Sequence, residues 1–195
     1  MGLLSAQGNR LIVVLVGPPG AGKTTHAKML NKEFKLPVIS SEEIIRESND
    51  RRKGELKKLK GTPLEYGEGI DDTLMTSLVR NRIMKGDCAN GFILDGFPKS
   101  KEQAVEFKKM AADMAIPATV IIHLRADDAT IEKRMMARGK NYDKPEIVRE
   151  RIKAYREEEA AVLGELNKDK VVAIDGTLPE KETSAAIRSA VLKFR

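Results

Sequence analysis

Residues 17–25 read GPPGAGKTT, and Gly17, Gly22, Lys23 and Thr24 fit the spacing G-x-x-x-x-G-K-[ST]. Each residue type has a physical job there. Glycine lets the backbone take positive φ and come close to a ligand. The N–H groups of such a turn point inward as an anion-binding nest, backed by the positive end of the helix that follows. Lys23 adds a mobile point charge, and the Thr24 hydroxyl is a hard oxygen suited to Mg²⁺. The chemistry implied is the holding of a polyphosphate with its magnesium ion. A structural glycine turn is the bland alternative. Against it stand the unbroken apolar run Leu11 to Val16 before the turn and the helical spacing of Ala27 and Leu30 after it. Together they supply the strand–loop–helix setting that the motif requires.

The elements that must position this loop alternate along the chain. Leu36 to Ile39 reads as a short buried strand, and Ser40 with Glu43 as a capping box that opens a helix reaching Arg46. Residues 47–66 are highly charged, are broken by Gly54, Gly61 and Pro63, and read as a small helical insert. A helix with Leu74, Leu78, Val79 and Ile83 at helical spacing follows and stops at Gly86. Gly91 to Asp95 is a buried strand ending on a carboxylate, and Ser100 with Gln103 caps the next helix. Ala118 to Leu124 and Val171 to Ile174 complete the strands. Asp127 caps a helix carrying Ile131, Arg134, Met135 and Arg138, Pro145 opens a long helix, and Thr177 with Glu180 caps the last one. This order predicts an α/β fold, a three-layer sandwich around a five-stranded parallel sheet with right-handed crossovers. Ligands of such sheets collect beyond the carboxyl ends of the strands. Gly17 to Lys23, Ser41 to Arg46, Asp95 to Lys99 and Arg125 to Asp128 all follow strands, so they should share one rim.

Composition narrows the class. A chain of 195 residues suits one α/β domain with small insertions and can bury a core without staples. Cys88 is the one cysteine, which excludes an intrachain disulfide, fits a reducing, cytoplasmic setting and reads as a passive thiol. No apolar run approaches the roughly 18 residues of a membrane span, the N-terminus lacks a secretory pattern, and Ala6 breaks the myristoylation pattern that Gly2 suggests. The net charge of +6 suits a polyanionic ligand. Scarce aromatics and the lack of a nucleic-acid motif argue against RNA or DNA. His26 and His123 read as structural.

With GFILDGFP at Gly91 to Pro98, Gln103 at its interval, the phosphate loop, Ser41 followed by Arg46, and Arg134, Arg138 and Arg151, the chain resembles the adenylate kinases among the nucleoside monophosphate kinases. The resemblance runs from about Leu11 to the last helix, in a divergent, short-lid form. It implies a single P-loop kinase domain over residues 1–195, with a monophosphate-binding insert at about 41–70 and a short lid at about 138–147. It implies transfer of the γ-phosphoryl group of ATP to AMP, with Mg²⁺ carried by ATP; the expected partners are these small nucleotides, with no nucleic acid or membrane, and the expected state is a monomer. Gly20, Ala21, Gly22, Lys23, Thr24 and Thr25 would hold the ATP phosphates, with Arg134, Arg138 and Leu178 completing that side. Ser41, Arg46, Glu68, Gly69, Ile70, Gly96, Phe97, Pro98, Lys99, Gln103 and Arg151 would hold AMP. Lys23, Lys99, Arg134, Arg138, Lys140 and Arg151 would act on the migrating phosphoryl group, and Thr24 and Asp95 would meet the metal, Asp95 through water.

The chain makes four departures from the family pattern. Lys99 and Lys140 stand where arginines are usual, keeping charge without the two-donor fork. Glu42-Glu43 replaces Gly-Asp and adds negative charge near an anion site. Thr24 replaces a glycine and should favour Mg²⁺; the lid's usual aspartate pair is reduced to Asp143. The alternatives are a UMP/CMP-type kinase, whose members usually carry asparagine where Gln103 stands, and a catalytically weak nucleotide-binding regulatory module.

Overall fold

The computed structural model describes residues 10–51, 70–140 and 143–195. In chain order these form β1 (Leu11–Val16), α1 (Lys23–Phe34), β2 (Val38–Ser40), α2 (Ser41–Arg51), α3 (Asp72–Ile83), β3 (Gly91–Asp95), α4 (Lys101–Asp113), β4 (Val120–Arg125), α5 (Asp128–Arg138), α6 (Pro145–Glu165), β5 (Val171–Asp175) and α7 (Glu180–Phe194). The five strands are all parallel in the order β2-β3-β1-β4-β5, with helices on both faces. The α/β sandwich expected from the alternation of elements is the one observed.

Strand pleat assigns the core. Ile12, Val14 and Val16 of β1 face one side with Phe92 and Leu94 of β3, and meet Met75 and Val79 of α3 and Phe107 of α4. Leu11, Val13 and Leu15 face the other, against Leu30 of α1, Ile131 of α5 and Ile187 of α7. Both faces are buried, which is why β1 is apolar throughout rather than alternating. Each fully buried Ile or Leu contributes about 1.5–3 kcal/mol. The pairing of Leu15 with Asp95, and of Ser40 with Asp95, aligns the carboxyl ends of β1, β2 and β3 on one rim.

Several local expectations change. The second strand lies at Val38–Ser40, displaced toward the rim from Leu36 to Ile39 because Ser40 pairs with Asp95. Leu74 is 43% exposed, since the inward face of α3 is set by Met75, Thr76, Val79 and Ile83, one position round. That helix ends at Ile83, before Gly86, which opens a 3-10 turn. Thr177 does not cap α7. Its N–H and Oγ1 both donate to Asp175 Oδ1, at 2.8 and 2.6 Å, and the helix starts later with Pro179 in the cap position. Ser40 reaches the N–H of Glu43 only at 3.5 Å, while Asp127 and Ser100 cap α5 and α4 as expected. Most of the charged insert expected at 47–66 lies outside the described residues.

Candidate active site

A crevice of about 560 Å³ opens at the carboxyl rim of the sheet. Its floor is the turn between β1 and α1. Gly17 has φ of 146°, and a Cβ there would stand 2.4 Å from the Leu124 carbonyl oxygen, so only glycine lets β4 pack this close. Gly22 sits in the cap position of α1 at φ of 97°, with no side-chain cap and no acidic residue in the first turn. The helix therefore presents its N–H groups to the crevice. Lys23 Nζ donates to the carbonyls of Gly17 and Pro18 at 2.6 and 2.8 Å. Burial draws its pKa down to about 8, against the pull of Asp95 and with the push of Lys99 and Arg151. Thr24 Oγ1 donates to Asp95 Oδ2 at 2.7 Å. Asp95 is 4% exposed. Burial pushes its carboxyl up, opposed by the charge of Lys23 and the Thr24 hydrogen bond.

On one wall, Ser41 Oγ donates to the Gly96 carbonyl at 2.9 Å, tying the start of α2 to the turn after β3. Lys99 lines the wall, and its backbone N–H donates to Gln103 Oε1 at 2.8 Å. Gln103 Nε2 donates to Asp72 Oδ1 at 2.7 Å, so the Gln103 amide is held at both ends by Lys99 and α3. Ser100 caps α4, accepting from the Gln103 N–H, while the Gln103 side chain engages Lys99 rather than the Ser100 N–H of a full capping box. Ile70, Gly96 and Pro98 also line this side. Phe97 does not line the crevice. Its ring is buried edge-on to Phe107, with centroids 6.1 Å apart. Arg46 does not line the crevice; its side chain is exposed and stands 3.8 Å from Glu43. Glu68 and Gly69 lie outside the described residues.

On the other wall, Arg134 donates to the Gly176 carbonyl at 2.6 Å and to that of Thr177 at 3.4 Å, fixing the turn after β5. Gly20, Ala21, Thr25 and Leu178 line this side, Leu178 at 41% exposure. Arg138 makes a two-pronged pair with Asp143, at 2.6 and 2.8 Å. Burial pushes the Asp143 carboxyl up, but the Arg138 fork and the Lys140 N–H outweigh it and hold it below the usual range. Asp143 N–H in turn donates to the Lys140 carbonyl, closing the loop on itself. Arg151, 6% exposed on α6, reaches the crevice from above. Lys140 does not line it, but donates across its mouth to Glu42 Oε2 at 3.2 Å.

Other lining residues were not singled out by sequence. Tyr155 and Glu158 follow Arg151 on one face of α6, a spacing that could have found them. His26 hydrogen-bonds Ser184 at 3.2 Å, and burial lowers its pKa. His123, off the crevice, pairs with Glu159 at 2.9 Å.

The arrangement gathers cations and helix N–H groups around one crevice, a lining suited to anionic ligands. The family model "Adenylate kinase" matches residues 15–171. The adenylate kinase of Rhodococcus erythropolis is 33% identical over 184 residues, covering 93% of this chain and 99% of the relative. That of Corynebacterium urealyticum is 32% identical over 181 residues, with 93% and 99% covered. That of Mycolicibacterium paratuberculosis is 36% identical over 170 residues, with 86% and 93% covered. With a glycine loop, a floor carboxylate and a cationic crevice in the arrangement described, and relatives matched over nearly their whole length, the chain belongs to the adenylate kinase family.

Proposed function

We propose that this crevice transfers the γ-phosphoryl group of ATP to AMP, reversibly, giving two ADP. The observation that carries the reading is the convergence of Lys23, Lys99, Arg138 and Arg151 on one cleft whose floor holds the Thr24–Asp95 pair. The ATP phosphates rest on residues 20–25, with Arg134, Arg138 and Leu178 on the same side. AMP rests against Ser41, Ile70, Gly96, Pro98, Lys99, Gln103 and Arg151, with Arg46 swinging inward from its exposed position. An oxygen of the AMP phosphate attacks the γ-phosphorus in line, the bond to the β-bridging oxygen breaks, and ADP leaves. That oxygen is already an anion, so no general base is needed. The protein supplies alignment and charge, with arginine forks meeting phosphate oxygens by two donors each.

Thr24 and Asp95 fit a magnesium ion: both offer hard oxygens, held 2.7 Å apart beside the phosphate loop. Among the described residues no group of three or more His, Cys, Asp or Glu could hold a metal, so the ion would arrive on the nucleotide's phosphates. It would screen charge on the β- and γ-oxygens. The insert at 41–70 and the lid at 138–147 close over the substrates and exclude water. No helix among the described residues is long and apolar enough to cross a membrane. We read the enzyme as a cytoplasmic monomer working on free nucleotides, without nucleic acid.

A coupled assay with ATP and, in turn, AMP, CMP, UMP and GMP tests the reading. AMP should turn over fastest. Faster turnover of CMP or UMP would assign a pyrimidine acceptor, and tight ATP binding without ADP formation would mark a nucleotide sensor.

A further inference from the structure

The first turn of α2 and the loop between α5 and α6 meet across the mouth of the crevice. Lys140 Nζ stands 3.2 Å from Glu42 Oε2, and both side chains are about two-fifths exposed, at 40% and 39%. Glu42 is more than a rim residue, because it lines the crevice with Lys23, Lys99 and Arg151. Burial pushes its carboxyl up. The charges of Lys140 and Lys99, the Lys140 hydrogen bond and the charge of Arg151 more than reverse that, and the carboxyl lies below its ordinary range. The influence is mutual, since the Glu42 charge supports the ammonium of Lys23. Glu42 is also the second residue of α2, where a carboxylate satisfies the positive end of a helix. The same helix end, beside Ser41 and Gly96, is where an incoming phosphate would seat.

One anion of this chain therefore stands in the field of the cations that phosphoryl transfer assigns to substrate. The geometry points to Glu42 as a positioning residue that competes with the acceptor phosphate for the same cations: its carboxylate draws Lys140 across the mouth, and the acceptor binds by taking these cations from it. This rests on the phosphoryl-transfer reading and adds a determinant of acceptor affinity to it. Two substitutions separated by 98 positions become one device. The lid lysine lacks an arginine fork, and the carboxylate opposite gives it a fixed direction.

The test is AMP binding by calorimetry without ATP, on the wild type and on Glu42→Gln, which keeps the shape and removes the charge. AMP should bind about two- to fivefold more tightly to the variant, the scale of one partly exposed charge pair. ATP should gain less. Glu42→Asp should stay near wild type. In a Lys140→Met background, the gain from Glu42→Gln should shrink, because the two side chains act as a unit. Unchanged or weaker AMP binding in Glu42→Gln would overturn the inference, as would an equal gain for ATP or an undiminished gain with Lys140 removed. If the wild type nevertheless forms ADP from ATP and AMP, the phosphoryl-transfer reading stands and only the role of Glu42 falls. A wild type that neither binds AMP nor forms ADP would remove both.

Discussion

Lys23 donates to two carbonyls of its own loop and holds its proton with a pKa of only about 8, against 10.5 for an ordinary lysine. A polyphosphate placed beside it favours the charged form and raises that pKa again. Binding above pH 8 must then take up a proton, and affinity must fall as pH rises from about 8 toward the bound-state pKa. Below pH 8 the free protein already carries the proton and this contribution is flat. Titration of ATP in buffers of different ionisation enthalpy should show proton uptake near pH 9 and little at pH 7. Replacing Lys23 by Ala should abolish the uptake and lower turnover by roughly 10²- to 10³-fold, the scale of losing one preorganised charge. It should scarcely shift thermal unfolding, because it removes a desolvated cation rather than an apolar contact. A proton uptake that survives in Lys23→Ala would assign it to another group.

At the scale of elements, backbone geometry decides what substitutions are allowed. Gly91 opens β3 at φ of 124°, and a Cβ there would stand 2.1 Å from the Leu11 carbonyl oxygen of the neighbouring strand. Gly91→Ala should lower stability by roughly 2–4 kcal/mol in urea unfolding, because neither strand can retreat without opening the core. The stretches that read well from sequence are those in which chemistry and conformation share a few adjacent residues. Leu11 to Thr24 and Gly91 to Pro98 each carry their own strand, turn and functional group. What did not read well depended on choices between neighbours. Thr177-x-x-Glu180 has the form of a helix start, but Asp175 at the end of β5 takes both Thr177 donors first. Leu74 fits the period of α3 as well as Met75 does, and packing against the sheet decided for Met75. The Glu42–Lys140 pair joins two different crossovers, and no local pattern reports it. Arg46 has a site position by resemblance and an exposed position in the structure, and periodicity cannot tell the two apart.

For the molecule as a whole, the strongest expectation is that two nucleotides share one cleft. A dinucleotide in which two adenosines are joined through five phosphates should raise the unfolding temperature more than ATP or AMP alone at equal concentration. A ligand at a hundredfold excess over its Kd adds about 2.7 kcal/mol to the folded state. A shift no larger than that of ATP would mean that the second adenosine finds no seat. The basic balance of the chain, +6 overall, makes such binding weaken with added salt.

Helix α6 sets a mechanical limit on all of this. It gives Val148 and Ile152 to one core and Val162 to the other, while Arg156 ties it to Asp128 and to the Ala126 carbonyl. Such a rod is bolted at both ends and cannot travel with the loop that precedes it. Whatever swing Lys140 makes must pivot between Gly139, the left-handed end of α5, and Pro145, the first residue of α6. Six links of chain reach at most roughly 20 Å. Anchored at both ends, it can carry Lys140 only about half that far, so on the phosphoryl-transfer reading its place is over the phosphates rather than around a nucleoside.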